Sequence, residues 1–184
     1  MKKIITSSLL VLSLTSNLIA YDNYAKYSIL YSVPNDLTSK SNGMTDKVTM
    51  NSGFAIEAAV GHKLSSDLAV EAQYSYDYAS TKNANGNIKI HSLFVNGVYN
   101  FPVDTKTMQP YLGMGLGAAF YTDGNADTTV LAYQGFLGTS FDIDYNLETF
   151  VEYKYKDFVD VELDNIEYSN TAIHSIGVGL KSKF

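Results

Sequence analysis

The sequence contains no cysteine, no tryptophan and no arginine, and only three of its 184 residues are proline. Without cysteine, neither a disulfide-stabilised scaffold nor a cysteine-based zinc or iron–sulfur site is possible. A nucleic-acid-binding surface is not expected, because all 13 cationic side chains are lysine and the formal net charge is −6. The chain also lacks the run of about 20 apolar residues that a transmembrane helix requires.

The first 20 residues have the layout of a secretory signal peptide. Met1–Lys3 is positively charged, Ile4–Leu14 is largely apolar, and Thr15–Ala20 becomes smaller and more polar. This order predicts a signal peptide over residues 1–20, with Ala20 before the cut, and a single domain over residues 21–184. A membrane anchor or a buried helix is the alternative, but the stretch is short and rich in serine and threonine.

The remaining sequence is rich in tyrosine, phenylalanine and glycine, with 15, 9 and 13 residues respectively. From Leu68 to Tyr78 the even positions are apolar or aromatic, whereas the odd positions are small, polar or charged. Leu147–Lys156 alternates in the same way, with the apolar residues mainly at odd positions. A period of two indicates β-strands, and eight such segments of roughly 9–13 residues can be found, within the range of membrane barrels.

One segment, residues 88–101, breaks the alternation. Ile88 and Ile90 are out of phase with Leu93 and Val95, which predicts a β-bulge near His91. The connections between the eight segments alternate in length, and the four long ones are rich in polar residues and glycine (residues 34–51, 79–87, 122–128 and 157–167). Long loops at one rim and short turns at the other are typical of an outer-membrane barrel.

Two features indicate that the polar face points inward. First, this face carries seven glycines: Gly61, Gly113, Gly115, Gly117, Gly138, Gly177 and Gly179. A solvent-exposed face does not need such small residues, whereas an eight-stranded barrel has an interior only wide enough for side chains. Second, the aromatic residues of the apolar face gather near the strand ends, as at two membrane interfaces. These predicted belts consist of Tyr31, Phe54, Tyr74, Tyr76, Tyr99, Phe101, Tyr111, Phe120, Tyr133, Phe141 and Tyr153.

The predicted fold class is therefore all-β: an eight-stranded antiparallel up-and-down transmembrane β-barrel. Three stretches also give a resemblance: SLFVNGVYNF at Ser92–Phe101, PYLGMGLGAAF at Pro110–Phe120 and IGVGLKSKF at Ile176–Phe184. In the order of these stretches the chain resembles the small outer-membrane barrels of Gram-negative bacteria, of the OmpA-like or opacity-protein (porin-like surface antigen) type. The resemblance implies a bacterial outer-membrane location and contact with outer-membrane lipids.

The resemblance also implies an assembly signal at the C-terminus. In this family the assembly machinery of the outer membrane reads a terminal aromatic residue preceded by alternating apolar residues. Phe184, Leu180 and Val178 match that pattern, whereas Ser182 departs from it.

Inward-facing polar residues form the main candidate site. They are Lys26, Glu57, Glu71, Gln73, Glu148, Glu152, Lys154 and Lys181. Because an unpaired buried charge is costly, we interpret them as a network of ion pairs that fills the barrel. The alternative is a narrow or gated pore for ions or small solutes, limited by the small radius that eight strands allow.

Other chemistry has weaker support. The acidic residues of the last long loop resemble cation ligands but lack the spacing and glycine of a calcium loop (Asp157, Asp160, Glu162, Asp164 and Glu167). The histidines occur on three different strands, and the pairs His91–Ser92 and His174–Ser175 point to opposite faces, so no catalytic dyad is expected. We predict no catalytic, metal or cofactor site and no enzymatic activity.

The function expected from these features is that of a monomeric outer-membrane surface protein. Its role would be structural or adhesive, with contacts to host or neighbouring cell surfaces made through the four long loops. The first alternative is a small channel. The second is a soluble periplasmic binding barrel, in which the apolar face would point inward.

Overall fold

The computed structural model describes residues 22–41, 44–80, 87–103, 107–123, 126–159, 161–163, 166–169 and 171–184. The predicted signal peptide, residues 1–20, lies outside this set and stays an expectation. No helix among these residues is long and apolar enough to cross a membrane. The described chain contains twelve strands: β1 (Asn23–Pro34), β2 (Leu37–Ser41), β3 (Met44–Val48), β4 (Gly53–Lys63), β5 (Leu68–Ser80), β6 (Asn87–Asn100), β7 (Met108–Asp123), β8 (Ala126–Asp144), β9 (Leu147–Phe158), β10 (Val161–Leu163), β11 (Ile166–Ser169) and β12 (Ile173–Lys183).

Eight of these strands close into one antiparallel barrel. Around the barrel the order is β1, β4, β5, β6, β7, β8, β9 and β12, and β12 pairs with β1 to complete the ring. Except at this closure, every neighbour in the barrel is also the next barrel strand along the chain, as in an up-and-down topology. The predicted fold class is thus confirmed.

The alternation within each strand separates an apolar exterior from a polar interior. On β5, for example, Ala69, Glu71 and Gln73 are buried, while Leu68 and Val70 are exposed on the outside. Large apolar side chains cover the exterior, with Ile29, Val95 and Leu116 all more than 60% exposed (64%, 63% and 66%). Such an extensive apolar surface requires contact with lipid, because a soluble protein would bury it. The soluble periplasmic barrel is therefore excluded.

Two of the predicted loops contain strands that form a second sheet. β2 and β3 lie within residues 34–51, and β10 and β11 lie within the last connection; their order in the sheet is β10-β11-β2-β3. This corrects the expectation of simple polar loops at 34–51 and 157–167. The reason is long-range: β1 and β12 are neighbours in the barrel, so the segments that continue from them start side by side, and β2 pairs with β11.

The other two long connections are shorter than predicted. β5 continues to Ser80 and β6 begins at Asn87, while the pairing of β7 with β8 extends as far as Asp123 and Ala126. Most of the predicted loop 122–128 is therefore strand. Residues 81–86, within the predicted loop 79–87, lie outside the described set.

The bulge predicted near His91 is wrong. The register between β5 and β6 runs without interruption from the pair Leu68–Tyr99 to the pair Ser80–Asn87. Ile90 points into the barrel because the interior at this end contains an apolar cluster, in which Ile88 and Ile90 take part. The buried members of this upper cluster are Ile90, Phe94, Ala119, Tyr121, Ala132, Phe158 and Ile173. A register shift occurs instead between β8 and β9, near Asp142 and Asp144.

Inward-facing glycines make room for large side chains from neighbouring strands. A Cβ atom added to Gly113 would lie 2.1 Å from the ring of Phe136, and one added to Gly179 would lie 2.4 Å from the ring of Phe150. Gly61 and Gly138 are covered in the same way by Tyr24 and Tyr111. Close approach of a ring to the backbone, rather than an unusual backbone angle, therefore accounts for these glycines.

Substitution of two glycines tests this packing. Gly113→Ala should lower the free energy of unfolding by about 1–3 kcal/mol, because the new methyl group collides with the Phe136 ring. Gly97→Ala is the matched control on the outer face, where no atom lies within 4 Å of an added Cβ. Urea unfolding in phospholipid vesicles, followed by the gel mobility of the folded and unfolded forms, measures the stability of both variants. An equal loss of stability in the two variants would contradict the packing of Phe136 against Gly113.

Candidate functional site

A cluster of ion pairs occupies the middle of the barrel. The Lys154 ammonium lies 2.5 Å from the carboxylate of Glu57 and 3.3 Å from that of Glu152, and Lys26 lies 3.1 Å from Glu152. These residues belong to β9, β4 and β1, and each is at most 9% exposed. The pairs Lys154–Glu57 and Lys26–Glu152 therefore join strands that are not neighbours in the ring, through the interior of the barrel.

Further pairs extend the cluster in both directions. Lys156 pairs with Asp77 at 2.7 Å and with Glu57 at 3.6 Å. Towards the short-turn rim Glu148 pairs with Lys181 at 2.7 Å and also contacts Lys183. With Lys26 and Glu71, which are 3.7 Å apart, these pairs join five lysines to five acidic residues. The described network is thus balanced in charge.

Three amide side chains form a hydrogen-bonded group beside the ion pairs. Asn96 donates to the Gln73 carbonyl oxygen at 2.9 Å. Gln134 donates to the same oxygen at 3.1 Å and to the Asn96 oxygen at 2.7 Å. Lys154 also donates to Gln73, at 3.4 Å, so the amide group and the ion pairs form one continuous network.

Aromatic rings line the interior and surround its lysines. The Lys26 ammonium lies 4.7 Å from the centre of the Phe150 ring and 5.1 Å from that of Tyr111. Lys154 lies 5.0 Å from the centre of the Phe136 ring. A cation over an aromatic face is attracted by the ring electrons, so the rings stabilise charges that have little contact with water.

Tyr111 corrects the predicted aromatic belt. Its side chain is only 6% exposed and points into the barrel, where its hydroxyl donates to Glu152 at 2.9 Å. Gly138, its neighbour on β8, provides the space, because a Cβ there would lie 2.6 Å from the Tyr111 ring. The phenol can be buried at this position because Glu152 accepts its hydrogen bond.

The described interior contains little free space. A cavity of about 10 Å³, large enough for roughly one water molecule, is lined by Lys26, Glu71, Val98, Tyr111, Ser140, Phe150 and Lys181. The ion pairs of Lys154 and Lys156 lie between the upper apolar cluster and a lower one, whose buried members are Tyr24, Ala69, Val98, Tyr111, Phe136 and Phe150. Side chains thus fill the barrel from one end to the other in the part that the structure describes.

Comparison with known proteins places the chain in a family. Residues 83–182 match the profile of the family described as surface antigen, over more than half of the chain. The chain belongs to the surface antigen family. No curated protein matches the sequence. The apolar exterior and the outer-membrane barrels of similar fold show that this surface antigen is located in the bacterial outer membrane.

Three solved structures illustrate the similarity of fold. Neisserial surface protein A (NspA) is 19% identical, with a TM-score of 0.64 over 91% of this chain and 100% of that protein. The outer membrane protein OprG from Pseudomonas aeruginosa is 15% identical, with a TM-score of 0.64 over 88% and 96%. The outer membrane enzyme PagL is 13% identical, with a TM-score of 0.54 over 86% and 99%. At these identities the similarity shows the fold alone.

All eight residues of the predicted polar network lie in the interior of the surface antigen. Seven are buried and Lys181 is partly buried. Three further residues of the same network, Asp77, Lys156 and Lys183, are not among the residues predicted from the sequence. The alternation along the strands could have identified all three. Asp77 occupies an inward-facing position of β5, Lys156 one of β9 and Lys183 one of β12.

The other predicted belt residues and the C-terminal residues face outward. The exposed belt members are Tyr31, Phe54, Tyr74, Tyr99, Phe101, Phe120, Tyr133, Phe141 and Tyr153, while Tyr76 is partly buried against its neighbours. Val178, Leu180 and Phe184 are exposed on the outside of β12 and just beyond it.

The candidate dyads and cation site do not assemble among the described residues. Ser92 is buried in the interior and Ser175 bonds to Ser32, whereas the adjacent His91 and His174 bond to tyrosines on the outer face. No group of three potential metal ligands occurs in the described part. In the acidic loop, Asp157 accepts hydrogen bonds from Tyr133 and Tyr155. Asp160 and the side chains of Glu162, Asp164 and Glu167 lie outside the described set.

A double-mutant cycle tests the central ion pair. Lys154→Met and Glu57→Gln should each lower the free energy of unfolding, because each leaves a buried partner with reduced compensation, and we expect a coupling energy of about 1–3 kcal/mol. Lys183→Met with Glu148→Gln is the control pair nearer the rim, where Lys183 is 21% exposed and Lys181 remains. Urea unfolding in vesicles measures both cycles. A coupling energy between Lys154 and Glu57 that is no larger than the one between Lys183 and Glu148 would contradict this description.

Proposed function

We propose that this surface antigen is a filled membrane anchor that acts through its extracellular segments, in a structural or adhesive role. The observation that carries this proposal is the combination of a filled interior with the sheet β10-β11-β2-β3 outside the barrel. A filled interior leaves the surface as the region available for interactions. We also propose that the protein is a monomer and that it has no enzymatic activity.

The outer sheet supports the adhesive part of the proposal. It joins the first long connection to the last one, because β2 pairs with β11 in register from Thr38–Ser169 to Lys40–Glu167. Strand pairing holds the two hairpins in one arrangement and so reduces the entropy lost when they bind a partner. Longer segments on one side of an outer-membrane barrel are typically extracellular, so this sheet would face host or neighbouring cell surfaces.

The proposal extends to export and assembly. The signal peptide would be removed after Ala20, and the outward-facing Val178, Leu180 and Phe184 would be read by the assembly machinery. β12 carries these residues and pairs with β1 to close the ring. The signal would therefore lie on the strand that completes the barrel.

Single-channel recording distinguishes the proposal from a channel. The purified protein in planar bilayers should give no steady, reproducible conductance steps, because side chains occupy the interior and eight strands leave little radius. Stable steps of one size at low voltage would favour the small channel instead. The outer-membrane fraction from cells without the chain serves as the control.

Shortening the outer sheet tests the adhesive role. Two changes together, replacement of residues 37–48 and of residues 161–169 by short Gly-Ser connections, should remove the sheet and leave the barrel. A non-adherent bacterium carrying the intact chain should bind an epithelial monolayer or its own kind at least about tenfold more than cells carrying the shortened chain, a free-energy difference of about 1.4 kcal/mol. Equal binding, with equal amounts of heat-modifiable barrel in the membrane, would contradict the proposal.

A further inference from the structure

The outer face carries two copies of the same side-chain arrangement. In the first, the Tyr74 hydroxyl lies 2.7 Å from His91 Nδ1, and the Tyr76 ring centre lies 5.0 Å from that of His91. In the second, Tyr153 and Tyr155 surround His174 with nearly the same values, 2.7 Å and 5.1 Å. The register is also the same, because Tyr76 is directly opposite His91 and Tyr155 is directly opposite His174.

Both clusters lie where the exterior changes from apolar to polar. Tyr74 and Tyr153 are 43% and 40% exposed. On each histidine strand the next outward residue towards the short-turn rim is apolar and exposed, Leu93 on β6 and Ile176 on β12. Tyrosine is enriched at this level in membrane proteins, where its ring contacts acyl chains and its hydroxyl contacts headgroups. The clusters therefore face lipid headgroups at the long-loop rim.

The two clusters differ in charge on the side nearer the long-loop rim. In the first cluster Lys89 lies two residues beyond His91 on β6, exposed on the same outer face and opposite Tyr78. In the second cluster Asp157 lies two residues beyond Tyr155 on β9 and accepts hydrogen bonds from Tyr155 at 3.0 Å and from Tyr133 at 2.7 Å. One cluster is thus cationic and the other is anionic, in otherwise matching surroundings.

The cationic cluster presents hydrogen-bond donors to the headgroup region. When the Tyr74 hydroxyl donates to His91 Nδ1, the neutral imidazole carries its hydrogen on Nε2 and can donate there. Lys89 contributes a positive charge with three donor hydrogens. A phosphate group, which has only acceptor oxygens and a negative charge, complements this set, and such charge-assisted hydrogen bonds are stronger than neutral ones.

We propose that Lys89 and His91 bind the phosphate group of a lipid in the outer leaflet, with the Tyr74 hydroxyl holding the His91 ring so that Nε2–H is the donor. The cluster opens sideways into the bilayer, with Leu93 and Val95 exposed on the same strand where the acyl chains of that lipid would lie. This continuity favours a phospholipid or phosphorylated glycolipid over free phosphate. The anionic cluster around His174 does not select such a lipid, because Asp157 repels phosphate and already accepts two of the hydroxyl hydrogens.

Lipid selectivity in a reconstituted membrane tests the site. The full chain, folded in phosphatidylcholine vesicles, is titrated with spin-labelled phosphatidic acid and, separately, with spin-labelled phosphatidylcholine, and electron paramagnetic resonance gives the two association constants. We expect phosphatidic acid to associate about threefold more strongly, the size typical of partly exposed charge interactions. Lys89→Ala with His91→Gln should reduce this ratio to about one, whereas His174→Gln should leave it unchanged.

Two further variants and a competition experiment serve as controls. Lys89→Arg should keep the selectivity, and Lys89→Ala alone, an exposed substitution, replaces the double variant if that variant does not show the heat-dependent gel shift of a folded barrel. Millimolar inorganic phosphate should not displace the lipid; displacement would identify a free-anion site instead. A ratio near one in the unmodified chain, or an equal loss in His174→Gln, would overturn the proposal.

Discussion

Charge pairing inside a closed, nearly dry barrel is the constraint on which the rest of the structure depends. Five lysines and five acidic residues share an interior that eight strands make too narrow for bulk water. An uncompensated charge in such a space would cost several kcal/mol. Each charge therefore has a counter-charge on another strand, and the pairs hold the walls of the barrel together.

The narrow interior also accounts for residue types that the composition alone leaves unexplained. Glycines at Gly113, Gly138 and Gly179 allow rings from neighbouring strands to lie against the backbone. Those rings in turn surround the lysines, whose ammonium groups lie over the ring faces. Nothing in the structure explains why every cation of the chain is lysine and none is arginine. The mean hydropathy of −0.06 averages a lipid-facing surface with this polar interior.

Strand parity made most of the fold predictable from the sequence, because burial on one face and lipid on the other impose a period of two along β5 and β9. Features that depend on distant partners were not predictable in this way. The burial of Tyr111 requires Gly138 and Glu152 on two other strands, and the outer sheet requires β2 to meet β11. Ile90 broke the expected pattern because the upper end of the interior is apolar, a fact that only the packed barrel shows.

Cysteine labelling of neighbouring positions is the most direct test of a filled barrel with a lipid-facing exterior, since the natural chain contains no cysteine. Single cysteines at the buried Ala59, Ser92 and Ala132 should not react with a water-soluble maleimide added to both sides of the membrane. Fluorophores attached before folding to cysteines at the adjacent exposed positions 60, 93 and 131 should be quenched by brominated lipids. Rapid maleimide reaction at the three buried positions of the folded protein would show a water-filled interior and would contradict this account.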